Sequence, residues 1–209
     1  TMGKAERTKQ FIIEQVAPVF NKKGYAATSL QELTETTGLS KGAIYGNFKN
    51  KDEVAVLAFE HNLTFIRERL RANIQGARTF LDRLLAYPQT FREIFRQVLQ
   101  AGGCPIVNTA VDSDNVNELL QGAVRSAIGE WKGSMVSLVE SGIDSGEFAK
   151  NSDAEKTAQV LICLVEGGYA MTKATGEEGY IQNALSQMET IILALGQGRA
   201  ATGADSEHN

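Results

Sequence analysis

The sequence predicts an all-α protein: a small three-helix module at the N-terminus followed by a larger helical domain. Three observations carry this. Apolar residues recur at spacings of three and four, with little β-branched alternation. Only three prolines interrupt 209 residues. Serine or asparagine followed three residues later by glutamate marks helix starts, and glycine marks their stops.

The first helix is expected over Lys4–Lys23, with Ile12, Ile13, Val16, Ala17 and Phe20 on one face and Gly24 as its end. Ser29 and Glu32 have capping-box spacing and open a second helix, Ser29–Thr37, which Gly38 stops. Ser40 opens a third, over about Ser40–Asn47. Asn50 and Glu53 repeat the box ahead of a long helix from Lys51 to about Gly76, carrying Val54, Leu57, Ala58, Leu63 and Leu70. Thr79–Gln100 has a helical period but contains Pro88, which lacks an N–H and is expected to kink or break it. Gly102-Gly103-Cys104-Pro105 is a sharp stop, followed by a short helix to about Val111 and a turn over 112–115. A long helix is expected over 115–142 and a loop over Ser145–Ser152. Two apolar helices, Asp153–Thr175 and Glu178–Leu195, complete the core. This divides the chain into domains 1–50 and 51–198, with a polar, disordered tail over 199–209.

Composition excludes several classes. No apolar run approaches the roughly 20 residues a membrane span needs, so no membrane partner is expected. Two cysteines, Cys104 and Cys163, make no disulfide framework and suit a reducing cytoplasm, and Cys163 within Ile162–Val165 reads as core. His61 and His208 lack ligand spacing, so neither a metal nor another cofactor is implied. The net charge of −4 hides an asymmetry. Residues 1–51 hold eight basic and four acidic side chains, whereas the remainder holds 13 basic and 21 acidic. A basic end on an acidic body suits a phosphate-facing module joined to a domain that does not touch nucleic acid.

Two short helices separated by a glycine turn are the framework that lays a second helix in the DNA major groove. The run Thr28, Leu33-Thr34, Thr37-Gly38-Leu39-Ser40, Gly42, Tyr45, Phe48, Lys51 and Val54 resembles the DNA-binding domain of the tetracycline-repressor (TetR) family of bacterial transcriptional regulators. The resemblance implies a three-helix reader, a six- or seven-helix regulatory domain, and dimerisation through the last two helices. Thr34 and Thr37 depart from the usual alanines, and Gly46-Asn47 from the commoner bulky pair.

Each motif residue then has a physical task. Leu33, Leu39 and Phe48 pack the reader. Thr28, Ser29 and Gln31 at the start of the second helix would grip backbone phosphate, aided by the helix dipole. On the third helix, Lys41 would reach a phosphate or guanine edge, and Gly42 and Ala43 would let the backbone approach the groove. Tyr45 offers a hydroxyl to phosphate and a ring to thymine. Asn47 is also expected to contact DNA, and Lys51 at the start of the fourth helix would grip backbone phosphate on the other flank.

So few reaching side chains require two copies. Residues 158–171 are apolar nearly all round, so Val160, Leu164, Gly167, Gly168 and Met171, with Met188, Ile192 and Leu195 on the last helix, are expected in a homodimer interface. A two-fold dimer demands a palindromic operator.

The regulatory half is expected to sense a small-molecule inducer. Gly103-Cys104-Pro105 with Asn108 resembles a subgroup segment whose cysteine answers electrophiles or oxidants, and a helix N-terminus favours thiolate. The other expectation is a pocket lined by Phe59, Phe91, Phe95, Trp131, Met135 and Tyr169, with Asn108 and Glu166 orienting a ligand. A helical enzyme with Cys104 as nucleophile is a third reading, but no base motif stands near it in sequence.

Overall fold

The computed structural model describes residues 3–113 and 117–197. The described residues form nine helices and no strand. The helices are α1 (Lys4–Lys23), α2 (Leu30–Thr37), α3 (Lys41–Tyr45), α4 (Lys51–Gly76), α5 (Phe80–Gln100), α6 (Pro105–Asp112), α7 (Glu118–Asp144), α8 (Ala154–Thr175) and α9 (Gly179–Gln197). The tail expected over 199–209 and residues 114–115 of the turn expected over 112–115 lie outside the described residues, while Asp112 closes α6 and Ser113 is its C-cap.

Caps set the boundaries of the short helices. The Ser29 hydroxyl accepts from Glu32 N at 3.2 Å, and Ser40 does the same for Ala43 N at 3.2 Å. Gly38 ends α2 with a left-handed φ of 68°, which a residue with a Cβ adopts only at a cost. The expected boxes are half-formed. The Glu32 carboxylate pairs with Lys23, and Glu53 accepts from Lys49 N at 2.7 Å. The third helix is shorter than expected: after the helical bond from Gly46 N to Gly42 O, Asn47 N turns tightly onto Ile44 O, three residues back.

Pro88 does not break its helix, and α5 runs continuously through it. An interior proline costs about 3 kcal/mol. Its neighbours Leu84, Tyr87, Phe91 and Phe95 are all buried, each worth roughly 1.5–3 kcal/mol, so the apolar face outweighs one missing bond.

The chain divides into two compact units, residues 1–67 with 97–128, and 68–96 with 129–209. Helices α4, α5 and α7 pass from one to the other. The first unit buries Ile12, Val16 and Phe20 of α1, Leu33 of α2, Ile44 of α3, and Val54, Ala58 and Phe59 of α4. Polar side chains tie its distant segments together. Asn21 Nδ2 donates to Ala101 O and Gly103 O at 2.9 and 3.1 Å. Asn108 Nδ2 donates to Gly102 O and Asn21 O at 2.9 and 3.1 Å.

The second unit is organised around α8 and α9. Gly168 faces α9 so closely that a Cβ there would lie 2.9 Å from Ile181 Cδ1 and 3.0 Å from Ala184 Cβ. Met188 and Ile192 are fully buried, and Ala149 N donates to Leu195 O at 3.0 Å. Arg92 pairs with Glu189, and Arg96 with Glu178 at 2.8 Å.

Candidate nucleic-acid interface and sensing residues

The recognition face is built by packing one side of α3 and leaving the other bare. Ile44 is wholly buried and anchors α3, with Phe48 buried just beyond it. Lys41 and Gly42 are therefore turned out to solvent, while Ala43 and Tyr45 are half-exposed. Among the described residues a Cβ on Gly42 would meet only Ser40 Oγ, at 3.9 Å, so none of them requires glycine there. Ser29 and Gln31 are exposed at the start of α2, and Gln31 Nε2 donates to Glu35 at 2.9 Å. Asn47 is half-exposed, with its amide donating to Ala43 O at 2.8 Å. Nearby carboxylates are occupied: Glu32 by Lys23, and Glu53 by Lys9 at 3.1 Å and by Lys49 N. Those two partners hold the Glu53 carboxyl below its ordinary range, the Lys49 N–H contributing most. Lys41 and Lys49 are left as exposed positive charges beside α3.

Two expected phosphate contacts are corrected. Thr28 is completely buried, and its hydroxyl donates to Gly24 O at 2.6 Å. Its short side chain is needed to close the turn between α1 and α2. Lys51 points inward. Its ammonium donates to Tyr25 O at 2.6 Å and lies 4.1 Å from the centre of the Tyr25 ring. Desolvation lowers its pKa, against the pull of Asp112 and Asp52.

Tyr25 is the residue that sequence reasoning missed. Its hydroxyl bonds to Asp52 on α4, and its backbone N–H donates to Asp112 at the end of α6. Asp52 also accepts from Asn117 Nδ2 at 2.8 Å, just before α7. Burial, and then the bond to Asp52, raise the Tyr25 pKa. Gly24, at a φ of 85°, leaves its Cα open for the Asp112 carboxylate, which occupies the space a Cβ would fill. The only local signal was a lone tyrosine among small residues in a turn. A cleft beside this node is lined by Phe20, Asn21, Tyr25, Phe59, Asn108 and Asp112.

The expected sensing residues separate between the units. Cys104 and Asn108 belong to the first. Cys104 is buried at the N-cap of α6, and its side chain makes no capping bond. Asn108 clamps the segment before α6 and Asn21, and it also lines the cleft beside Tyr25. Phe59 belongs to the first unit's core. Phe91, Phe95, Trp131, Met135, Glu166 and Tyr169 belong to the second unit. There Phe91 meets Trp131 with ring centroids 5.6 Å apart, and Tyr169 edge-on at 6.2 Å. Glu166 is buried one helical turn before Tyr169, and Trp131 Nε1 is buried without a hydrogen bond among the described residues. A buried donor in that position suits an acceptor brought by a bound molecule. Phe95 and Met135 are buried core.

The expected interface residues also divide. Val160, Gly167 and Met171 are exposed, and Leu164 and Leu195 half-exposed. Gly168, Met188 and Ile192 are corrected to core positions within the chain, because α9 packs onto α8 through them. Cys163 is corrected in the opposite sense: it is exposed on the same stripe as Val160 and Gly167. No described helix is long and apolar enough to cross a membrane, and no described group of three or more His, Cys, Asp or Glu residues could hold a metal.

Residues 12–57 match the model of bacterial regulatory proteins of the tetR family, and residues 80–188 that of the tetracyclin repressor-like C-terminal domain. The HTH-type transcriptional repressor NemR of Escherichia coli (strain K12) is 24% identical over 190 residues, covering 88% of this chain and 94% of that protein. The HTH-type transcriptional regulator TtgR of Pseudomonas putida (strain DOT-T1E) is 26% identical over 172 residues, covering 80% of each. Among solved structures, a TetR-family transcriptional regulator from Cytophaga hutchinsonii superposes with a TM-score of 0.88 at 38% identity, covering 94% of this chain and 98% of that one.

Proposed function

The chain belongs to the TetR family of bacterial transcriptional regulators, and from that premise we propose that it is a repressor which binds a palindromic operator as a homodimer and is released by a small-molecule inducer. The observation that carries the reading is the outward face of α3. Lys41 and Gly42 are exposed on the first unit, and no contact among the described residues accounts for the missing side chain at Gly42. Ser29 and Gln31 reach one phosphate flank, Lys41 and Tyr45 the groove, and Lys49 adds charge. Residues 1–50 form the reader, and 51–198 the sensing and pairing domain.

Induction follows from linkage. A ligand that fits one spacing of the paired readers better than the other must shift operator affinity, typically by about 1–3 kcal/mol. The aromatic group of Phe91, Trp131 and Tyr169 suits such a ligand, and α4, whose chain continues from the first unit into the second, is the lever of this reading. Selection of bound sites from random duplex DNA tests the central reading. Recovery of a palindrome with salt-steep affinity is expected, and failure to enrich any duplex would overturn it.

The position of Cys104 favours a second reading, a thiol sensor. It caps α6 in the Gly103-Cys104-Pro105 segment, and a helix N-terminus promotes thiolate. Its burial means that an electrophile must first open the segment that Asn108 clamps. Operator release by an electrophile that survives Cys104→Ser would remove this reading and leave the ligand pocket.

A further inference from the structure

The cleft beside the Tyr25 node has a one-sided chemistry that operator binding does not use. Phe20 of α1, Ala55 and Phe59 of α4 and Leu120 of α7 form its apolar wall. Three asparagines line it as well, and each turns its amide nitrogen onto the main chain. Asn62 Nδ2 donates to Ala17 O at 2.8 Å, Asn21 Nδ2 to Ala101 O and Gly103 O, and Asn108 Nδ2 to Gly102 O and Asn21 O. These donors are committed to the fold. What the polar wall offers a guest is oxygen: the amide oxygen of Asn62, the Thr109 hydroxyl and the Asp112 carboxylate.

Among the described residues Asp112 is the only charged one that lines the cleft. Its carboxylate is held in place, accepting from Tyr25 N and lying against the bare Cα of Gly24. The Lys51 ammonium does not line the cleft: it donates to Tyr25 O and covers the Tyr25 ring. Asp52, bonded to the Tyr25 hydroxyl, adds a second carboxylate to the node. Two carboxylates and one ammonium leave the node negative, so it repels an anion and attracts a cation.

Size narrows the cation. The space between the walls, part of it open to solvent, is about 320 Å³, at the lower end for a small-ligand pocket. Within it there is room for about one water-sized group. A primary ammonium has that size and carries three N–H donors, which suit a wall of acceptors. A trimethylated head has no donor and is too large.

We infer that this cleft binds a primary alkylammonium, its head on Asp112, Asn62 and Thr109 and its alkyl chain on Phe20, Phe59 and Leu120. Every residue of the site belongs to the first unit, whereas the aromatic group of Phe91, Trp131 and Tyr169 belongs to the second.

Thermal melts of the full chain test the site, with n-butylammonium chloride titrated against sodium chloride at constant ionic strength. A ligand at ten times its dissociation constant raises the midpoint of a chain this long by about 3–6 °C. Butylammonium is expected to give a saturable rise of that size, and n-butanol and butyltrimethylammonium none. Asp112→Asn keeps an acceptor for Tyr25 N but removes the charge, and Thr109→Leu fills the cleft and leaves the carboxylate. Both variants are expected to lose the rise. A wild-type midpoint that butylammonium does not move overturns the site. A rise that butanol or butyltrimethylammonium matches overturns the ammonium head, and one that survives in Thr109→Leu overturns the location, even if Asp112→Asn fails to fold.

Discussion

The two lysines that flank α3 look equivalent in sequence but are expected to behave differently when removed. Lys41 is exposed at the first turn of α3, while Lys51 donates to Tyr25 O at 2.6 Å and covers the Tyr25 ring. Each phosphate neutralised on B-form DNA contributes about 0.9 to the slope of log affinity against log salt. A homodimer that loses both Lys41 ammonium groups should therefore lose about 1.8 from that slope. Over a fourfold rise in salt, from about 50 to about 200 mM, the wild type should weaken roughly 12-fold more than Lys41→Ala. Lys51→Ala should leave the slope unchanged and act on the fold. A hydrogen bond from a charged donor and a cation–π contact, discounted because Lys51 is half-exposed, together amount to about 1–2 kcal/mol. For a chain of this length that lowers the melting midpoint by about 2–8 °C. Fluorescence anisotropy on a selected operator at four salt concentrations, with a thermal melt of each variant, reads both quantities. A full 1.8 loss of slope in Lys51→Ala with an unchanged midpoint would show that the inward placement does not govern its role. An unaltered slope in Lys41→Ala would remove α3 from the phosphate interface.

Other substitutions follow from the same geometry. Gly42→Ala should leave the midpoint level or slightly raised, since the added methyl meets open space, yet weaken operator binding about tenfold, a loss of roughly 1.4 kcal/mol; undiminished binding would mean the groove does not approach that backbone. Gly168→Ala should destabilise the chain by about 1–3 kcal/mol through overpacking against Ile181 and Ala184, measured by thermal unfolding. Asn108→Ala removes bonds to Gly102 O and Asn21 and should cost about 1–3 kcal/mol in denaturant titration, whether or not an inducer is present. The Glu53 carboxyl has a lowered pKa in the folded chain, so its contribution is present above its ordinary value of 4.5 and is lost as pH falls through the folded value. The difference in melting midpoint between wild type and Glu53→Gln should therefore be present at pH 7 and shrink progressively below pH 4.5.

Local chemistry made the reader legible. Gly24, Ser29, Gly38 and Ser40 place helix ends through capping and left-handed turns, which depend on a few neighbouring residues. The resemblance run then identified Gly42, and the start of the third helix placed Lys41 beside it. What escaped depends on distant partners. Thr28 and Lys51 carry suitable groups for phosphate, but their destinations are Gly24 O and Tyr25 O, set by how the chain folds back. Tyr25 N and Asp112 are 87 residues apart, and no periodicity anticipates such a bond. Pro88 violates a local rule that the burial of α5 overrides. Gly167 and Gly168 are neighbours of one type, and only the position of Ile181 distinguishes them.

The Tyr25 node bears on how the reader can be transplanted. A fragment ending at residue 57, where the reader match stops, would keep Tyr25, Lys51 and Asp52 but lack both Asp112 and Asn117. The turn entering α2 would lose the acceptor for its main-chain N–H, and Asp52 the amide that shares it with Tyr25. Chimeras that graft this reader onto another sensing domain should therefore carry residues 102–117 of their own parent, because the docking elements of the DNA-facing module are distributed across two stretches of chain.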